Sequence, residues 1–135
     1  MKELELKGLS EQNTARIGEK LGEGLFPGAF IALYGGLGAG KTTLTRSIAA
    51  ALGIRGILSP TFTIVREYAG RIPLFHFDAY RLGDADELYA IGFDEYMARG
   101  GAIIMEWCEN VEDALPCDRL ETVSYTHLRA HETGA

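Results

Sequence analysis

An α/β fold is expected, a three-layer sandwich around a mixed, mainly parallel sheet that carries one antiparallel hairpin. Three features predict it. The run Ala29-Phe30-Ile31-Ala32-Leu33-Tyr34 is apolar throughout, as a strand buried on both faces requires. The block Gly35-Gly36-Leu37-Gly38-Ala39-Gly40-Lys41-Thr42 follows at once and fits G-x-x-x-x-G-K-[ST], the phosphate-binding loop. A helical pattern from Lys41 through Leu44, Ile48, Ala49 and Leu52 then stops at Gly53. Strand, loop and helix in this order open the P-loop NTPase fold.

The remaining elements fall into place around that unit. Residues 2–7 alternate charge with Leu4 and Leu6, the pattern of a short half-buried strand. Ser10 is a helix N-cap, and Thr14, Ile17, Gly18, Leu21 and Leu25 recur at helical spacing. Gly18, Gly22 and Gly24 each weaken that helix by about 1 kcal/mol relative to alanine, so it needs packing against the body. Pro27-Gly28 ends it. Residues 59–68 and 72–77 are β-branched and aromatic and are joined by Ala69-Gly70-Arg71, which predicts an antiparallel hairpin, with Pro73 at an edge or a strand's start. Residues 84–91 begin with acids and end at Gly92, a short helix; 93–99 form another, closed by Gly100-Gly101. Ala102-Ile103-Ile104-Met105 is a second fully buried strand. Leu115-Pro116 breaks the next segment, and a strand begins at Leu120.

With 135 residues the chain has room for one domain. Its 47% hydrophobic and 24% charged content is that of a soluble globular protein, and no apolar run is long enough to span a bilayer. Met1-Lys2-Glu3-Leu4-Glu5-Leu6 is not a signal peptide, so a cytoplasmic location is expected. Cys108 and Cys117 have neither zinc nor redox spacing and read as free thiols. A formal charge of −6 without a basic run argues against direct binding to nucleic-acid duplexes.

Chemistry concentrates at the glycine-rich loop. Gly35 and Gly40 allow backbone angles that a side chain would forbid, and Gly36, Gly38 and Ala39 leave N–H groups bare to face phosphate oxygens. Lys41 would bridge the β- and γ-phosphates, Thr42 would offer its hydroxyl to Mg²⁺, and the helix dipole adds positive potential. Two acids end apolar runs where strand tips meet the phosphates: Asp78 after Leu74-Phe75-His76-Phe77 and Glu106 after Ile103-Ile104-Met105. Either could hold the metal while the other polarises the attacking water. Ser59-Pro60-Thr61 lies between the loop helix and the hairpin, where a threonine could reach the γ-phosphate as switch threonines do. His76, in its apolar setting, reads as structural. Trp107 packs over the metal site, over a partner, or simply in the core. Arg81 carries little weight.

Val123-Ser124-Tyr125-Thr126-His127-Leu128-Arg129-Ala130-His131-Glu132-Thr133 matches one translated reading frame of a transposase-type sequencing-library adapter. The expected organisation is therefore a single P-loop ATPase domain over residues 1–122, truncated at its C-terminus, with 123–135 a non-native tail. His127, His131 and Glu132 have the spacing of a helical metal site, but on this reading carry no chemistry.

Gly35 to Thr43, then Ser59-Pro60-Thr61-Phe62-Thr63, then His76-Phe77-Asp78-Ala79-Tyr80-Arg81-Leu82, then Glu106-Trp107, stand in an order that resembles the TsaE family over residues 4–120. That family is the ATPase component of the bacterial machinery that makes threonylcarbamoyladenosine in tRNA. The resemblance implies ATP and Mg²⁺ as cofactors and nucleotide contacts from Thr14, Gly36, Leu37, Gly38, Ala39, Gly40, Lys41, Thr42 and Thr43. It implies Thr42 and Glu106 at the metal, with Asp78, Thr61 and Lys41 serving hydrolysis. It also implies a two-subunit partner, the threonylcarbamoyl transferase and its paralogue, which ATP hydrolysis resets between rounds; tRNA is reached only through them, and no membrane is involved. Members of the family continue beyond residue 120 with further strands. A small P-loop metabolite kinase is the rival enzyme reading, and a nucleotide-gated assembly factor a third.

Overall fold

The computed structural model describes residues 2–7, 10–35, 39–58 and 64–125. Six strands form one sheet: β1 (Lys2–Lys7), β2 (Phe30–Gly35), β3 (Val65–Tyr68), β4 (Leu74–Asp78), β5 (Ala102–Glu106) and β6 (Leu120–Tyr125). Their spatial order is β1-β6-β2-β5-β4-β3. Every neighbouring pair is parallel except β3–β4, which is the expected antiparallel hairpin. Pro73 stands at the entry to β4, an interior strand, where its missing N–H interrupts no ladder.

Helices cover both faces, as a parallel sheet demands. On one side lie α1 (Glu11–Glu23) and α2 (Ala39–Ala51); the other carries α3 (Ala85–Ala90), α4 (Phe93–Ala98) and the 3₁₀ turns Cys108–Asn110 and Glu112–Ala114. Alternation along the strands divides the core. Ile31, Leu33, Leu74 and Ile104 meet Leu44, Ile48 and Leu52 of α2, whereas Phe30, Phe75, Phe77, Ile103 and Met105 meet Leu88 and Phe93. The second layer is aromatic, with Phe93 edge-on to Phe30 and Phe77, and Tyr96 edge-on to Phe75 and Phe77.

The Ser10 hydroxyl caps α1 by accepting from the Asn13 N–H at 3.1 Å, and Asp84 caps α3 through the Glu87 N–H at 3.0 Å. The glycines that weaken α1 have a second effect. A Cβ on Gly18 would sit 2.6 Å from Ser47 Cβ and 2.9 Å from the Leu44 carbonyl oxygen. One on Gly22 would sit 2.6 Å from both Ala51 Cβ and the Ile48 carbonyl oxygen. Hydrogen in place of a methyl lets the two helices run side by side in close contact. That contact is the packing on which α1 depends.

β6 lies between β1 and β2, so it is covered on both sides. It runs unbroken through Val123, Ser124 and Tyr125, across the point where the sequence reading begins the tail. His127, His131 and Glu132 lie outside the described residues.

Candidate active site

All the parallel strands end on the same edge of the sheet. β2 closes at Gly35 where the glycine-rich loop begins, β4 at Asp78 and β5 at Glu106. Asp78 is the direct neighbour of Glu106, and Glu106 is level with Leu33 on β2. The two acids that sequence reading singled out, 28 residues apart in the chain, thus stand side by side next to the loop. Ligands of open α/β sheets bind beyond the carboxyl ends of such strands.

α2 starts at Ala39, two residues before the lysine at which the sequence pattern places its start. Lys41 is only 5% exposed, and its Nζ lies 4.8 Å from the centre of the Trp107 ring. A buried ammonium needs compensation, and a ring face supplies part of it. The ring reaches that position through unusual backbone. Trp107 has φ 60° and ψ 47°, the only positive φ at a non-glycine among the described residues. For an L-residue this left-handed conformation costs roughly 1–2 kcal/mol. It turns the chain sharply from β5 into Cys108–Asn110, and the indole packs edge-on against Tyr80 with centroids 5.0 Å apart.

Glu106 Oε2 lies 2.7 Å from His76 Nε2. Burial by itself would raise the Glu106 carboxyl; the hydrogen bond from His76 and the charges of His76 and Lys41 overcome it, and the net shift is downward. The carboxylate is therefore held ionised beside the loop lysine. Asp78 is half-buried, and its Oδ1 accepts from the Tyr80 N–H at 2.9 Å, which fixes the turn after β4. The Ala79 N–H donates to the Glu106 carbonyl at 3.0 Å, carrying the β4–β5 ladder one residue further.

A cavity of about 90 Å³ opens between these groups, lined by Thr42, Thr45, Arg46, Ile57, His76 and Glu106. Two of its lining residues each have a side-chain atom, Thr45 Oγ1 and His76 Nδ1, that is buried without a hydrogen-bond partner. Buried polar atoms are nearly always paired, so orphans on a polar cavity mark a place for water or an ion. Among the described residues no three His, Cys, Asp or Glu side chains cluster as a metal cage. Mg²⁺ asks for less. It takes one or two protein oxygens and fills its octahedron with waters and substrate phosphates, a demand that the Thr42 hydroxyl and the Glu106 carboxylate fit.

The other expected site residues are placed as follows. Thr42 is exposed and Thr43 half-buried on the first turns of α2, where the Thr43 carbonyl accepts from the Ser47 hydroxyl at 2.8 Å. Ala39 and Gly40 form the helix start. Thr14 is buried on α1, one turn before Gly18. Because Gly18 and Gly22 meet α2 in matching four-residue steps, Thr14 lies level with the first turn of α2. Gly36, Leu37, Gly38 and Thr61 lie outside the described residues. His76, read from sequence as a structural histidine, instead bonds the site glutamate, and Thr45 was not anticipated at all. The signals for both were periodic: His76 shares a strand face with Asp78, and Thr45 follows Thr42 by three on a helix.

Comparison with known proteins gives a consistent answer. Residues 9–133 match the family model described as threonylcarbamoyl adenosine biosynthesis protein TsaE. The tRNA threonylcarbamoyladenosine biosynthesis protein TsaE of Bacillus subtilis is 42% identical over 125 residues, covering 91% of this chain and 78% of that protein. The protein of the same name from Treponema pallidum is 42% identical over 79% of this chain and 80% of its own length, and that of Haemophilus influenzae 39% identical over 85% and 78%. The crystal structure of Bacillus subtilis YdiB superposes with a TM-score of 0.72 at 38% identity, covering 85% of this chain and 71% of that one.

Proposed function

The chain belongs to the TsaE family, and from that premise we propose that it is a Mg²⁺-dependent ATPase serving threonylcarbamoyladenosine formation in tRNA. One observation carries the reading. A buried P-loop lysine lies close enough to an ionised glutamate for its charge to act on it, with an aspartate on the adjacent strand, at the edge where the glycine-rich loop leaves the sheet.

Lys41 would move from the Trp107 ring onto the β- and γ-phosphates and neutralise charge there. Thr42 and Glu106 would hold Mg²⁺, whose charge offsets the negative charge on the transferring phosphoryl group. Asp78, next to Glu106, would orient the attacking water, and Thr61 would act as the switch threonine. Thr14 and residues 36–43 would contact the nucleotide. The oxygen of water would then bond to the γ-phosphorus as the bond from that phosphorus to the ADP oxygen breaks, the water's proton passing to a phosphate oxygen or to solvent, and no protein side chain would be modified.

Energy from this step would reset a two-subunit partner, the threonylcarbamoyl transferase and its paralogue, which performs the transfer itself and contacts tRNA. The protein alone would turn over slowly and change rate when the partner binds. Lys41→Ala is expected to lower phosphate release at least about 100-fold, the scale of losing a positioned charge at a transition state; undiminished hydrolysis refutes the reading. Phosphate release with no acceptor supports an ATPase, and rapid transfer to an added metabolite would reassign the protein as a small kinase. Multi-turnover tRNA modification with the candidate partners, with and without ATP, tests the coupling.

A further inference from the structure

We infer that His76 is a positioning residue for Glu106: its imidazole holds the carboxylate against the cavity shared with Thr42 and so sets how tightly a divalent cation binds there. This rests on the proposed reading of Glu106 as a metal ligand.

The geometry is specific. His76 faces Ile104 across the β4–β5 ladder, so Glu106, two residues on, projects from the same face of the sheet. The imidazole is 2% exposed, and its Nε2 meets Glu106 Oε2 at 2.7 Å. An ionised carboxylate only accepts, so Nε2 carries the hydrogen, and Nδ1 is left buried with no partner. A side chain that merely filled space between Leu74 and Asp78 would not incur that penalty; an apolar residue packs there more favourably. His76 also lines the cavity, together with Glu106, Thr42 and the unpartnered Thr45. A carboxylate that binds a metal needs its orientation fixed by a partner, and loss of such a partner typically costs about 10- to 100-fold in metal affinity or activity.

A matched pair of amides tests this in the full chain. In His76→Gln the side-chain N–H₂ extends about as far as Nε2 and keeps the donor; in His76→Asn the amide is shorter by one methylene and cannot reach Glu106. The probe is Mn²⁺, titrated by electron paramagnetic resonance onto protein saturated with a non-hydrolysable ATP analogue. The Asn variant is expected to bind Mn²⁺ about 10- to 100-fold more weakly, and the Gln variant to stay close to wild type. Analogue affinity without divalent cation should be the same in all three. In hydrolysis assays the Asn variant should need correspondingly more Mg²⁺ for half-maximal rate while kcat recovers at saturation, whereas a purely structural role would lower kcat at every Mg²⁺ concentration. Wild-type Mn²⁺ affinity in the Asn variant, or equal loss in both amides, overturns the inference. If circular dichroism shows the Asn variant unfolded, the Gln variant decides: wild-type affinity supports the role and a tenfold loss removes it. A wild-type chain that holds Mn²⁺ this way yet releases no phosphate from ATP overturns the ATPase reading and leaves His76 in its role. Mn²⁺ held no more tightly than by the free nucleotide removes Glu106 as a ligand, and the inference with it.

Discussion

Lys41 is buried under the ring of the chain's single tryptophan. That pairing makes the site report on itself. A nucleotide that draws the ammonium onto its phosphates must take it off the indole face, so Trp107 emission is expected to shift in intensity or wavelength as ATP is titrated with Mg²⁺. Titration without any change, in a protein shown to bind nucleotide by calorimetry, would mean that Lys41 does not leave the ring. Glu106 reports on pH. Its carboxyl titrates lower in the fold than in the unfolded chain, so the unfolded chain binds its proton more readily. The stabilisation is therefore complete above the ordinary carboxylate range and is lost as pH falls through the lowered value. Glu106→Gln should flatten this part of the stability profile, measured by urea unfolding at a series of acidic pH values. An unchanged slope there would mean that Glu106 is not the group responsible. Residue identity alone made Lys41, Thr42, Asp78 and Glu106 legible, because each ends or begins a patterned run. His76 was not, since its meaning depends on a glutamate 30 residues later in the chain.

The helices α1 and α2 show how a local rule can be reversed by packing. Propensity alone says that Gly22→Ala should strengthen α1 by about 1 kcal/mol. In the fold the added methyl meets Ala51 Cβ and the Ile48 carbonyl oxygen, both at 2.6 Å, and backbone cannot step aside as a flexible side chain would. Overpacking of this kind costs about 1–3 kcal/mol, so the expected result is net destabilisation in urea unfolding together with weaker nucleotide binding, because α2 carries Lys41 and Thr42. A more stable variant with unchanged affinity would show that the helices have slack. The strand elements were easier to read. Two continuously apolar runs became β2 and β5, side by side at the sheet's centre, and the short link through Gly70 became the turn of the β3–β4 hairpin. The turn at Trp107 was not foreseeable, because tryptophan has no preference for a left-handed backbone. Only the close fit of the ring over Lys41 and beside Tyr80 accounts for it.

For the molecule as a whole, the position of β6 matters most. It joins β1 to the rest of the sheet, and its last residues pair on both sides: Val123 with Glu5 and Tyr34, Ser124 with Leu6 and Gly35. Gly35 is also the first residue of the glycine-rich loop. Ending the chain at Thr122 should therefore lower the thermal midpoint by at least about 4 °C, the shift that about 1 kcal/mol produces in a domain of this size, and should weaken nucleotide binding by loosening the strand that enters the loop. An unchanged midpoint would assign residues 123–125 no part in the sheet's stability. Among the described residues no helix is long and apolar enough to cross a membrane.

Sequence by itself determined the parts whose physics is local. The glycine-rich loop needs bare backbone and a lysine at fixed spacing, buried strands need unbroken apolar runs, and caps need an oxygen three residues ahead of an N–H; each is written within a few positions of itself. The family motifs followed from the same short stretches. Tertiary structure alone decided what meets what. The order β1-β6-β2-β5-β4-β3 set Asp78 beside Glu106, swung His76 onto that glutamate, laid the strained Trp107 over Lys41 and pressed α1 against α2 through two glycines. The physical reason is that burial and hydrogen bonding act between atoms in contact, whatever their separation along the chain. A parallel sheet gathers the ends of distant strands at one edge, and there the loop acquires the partners that a single stretch of sequence does not contain.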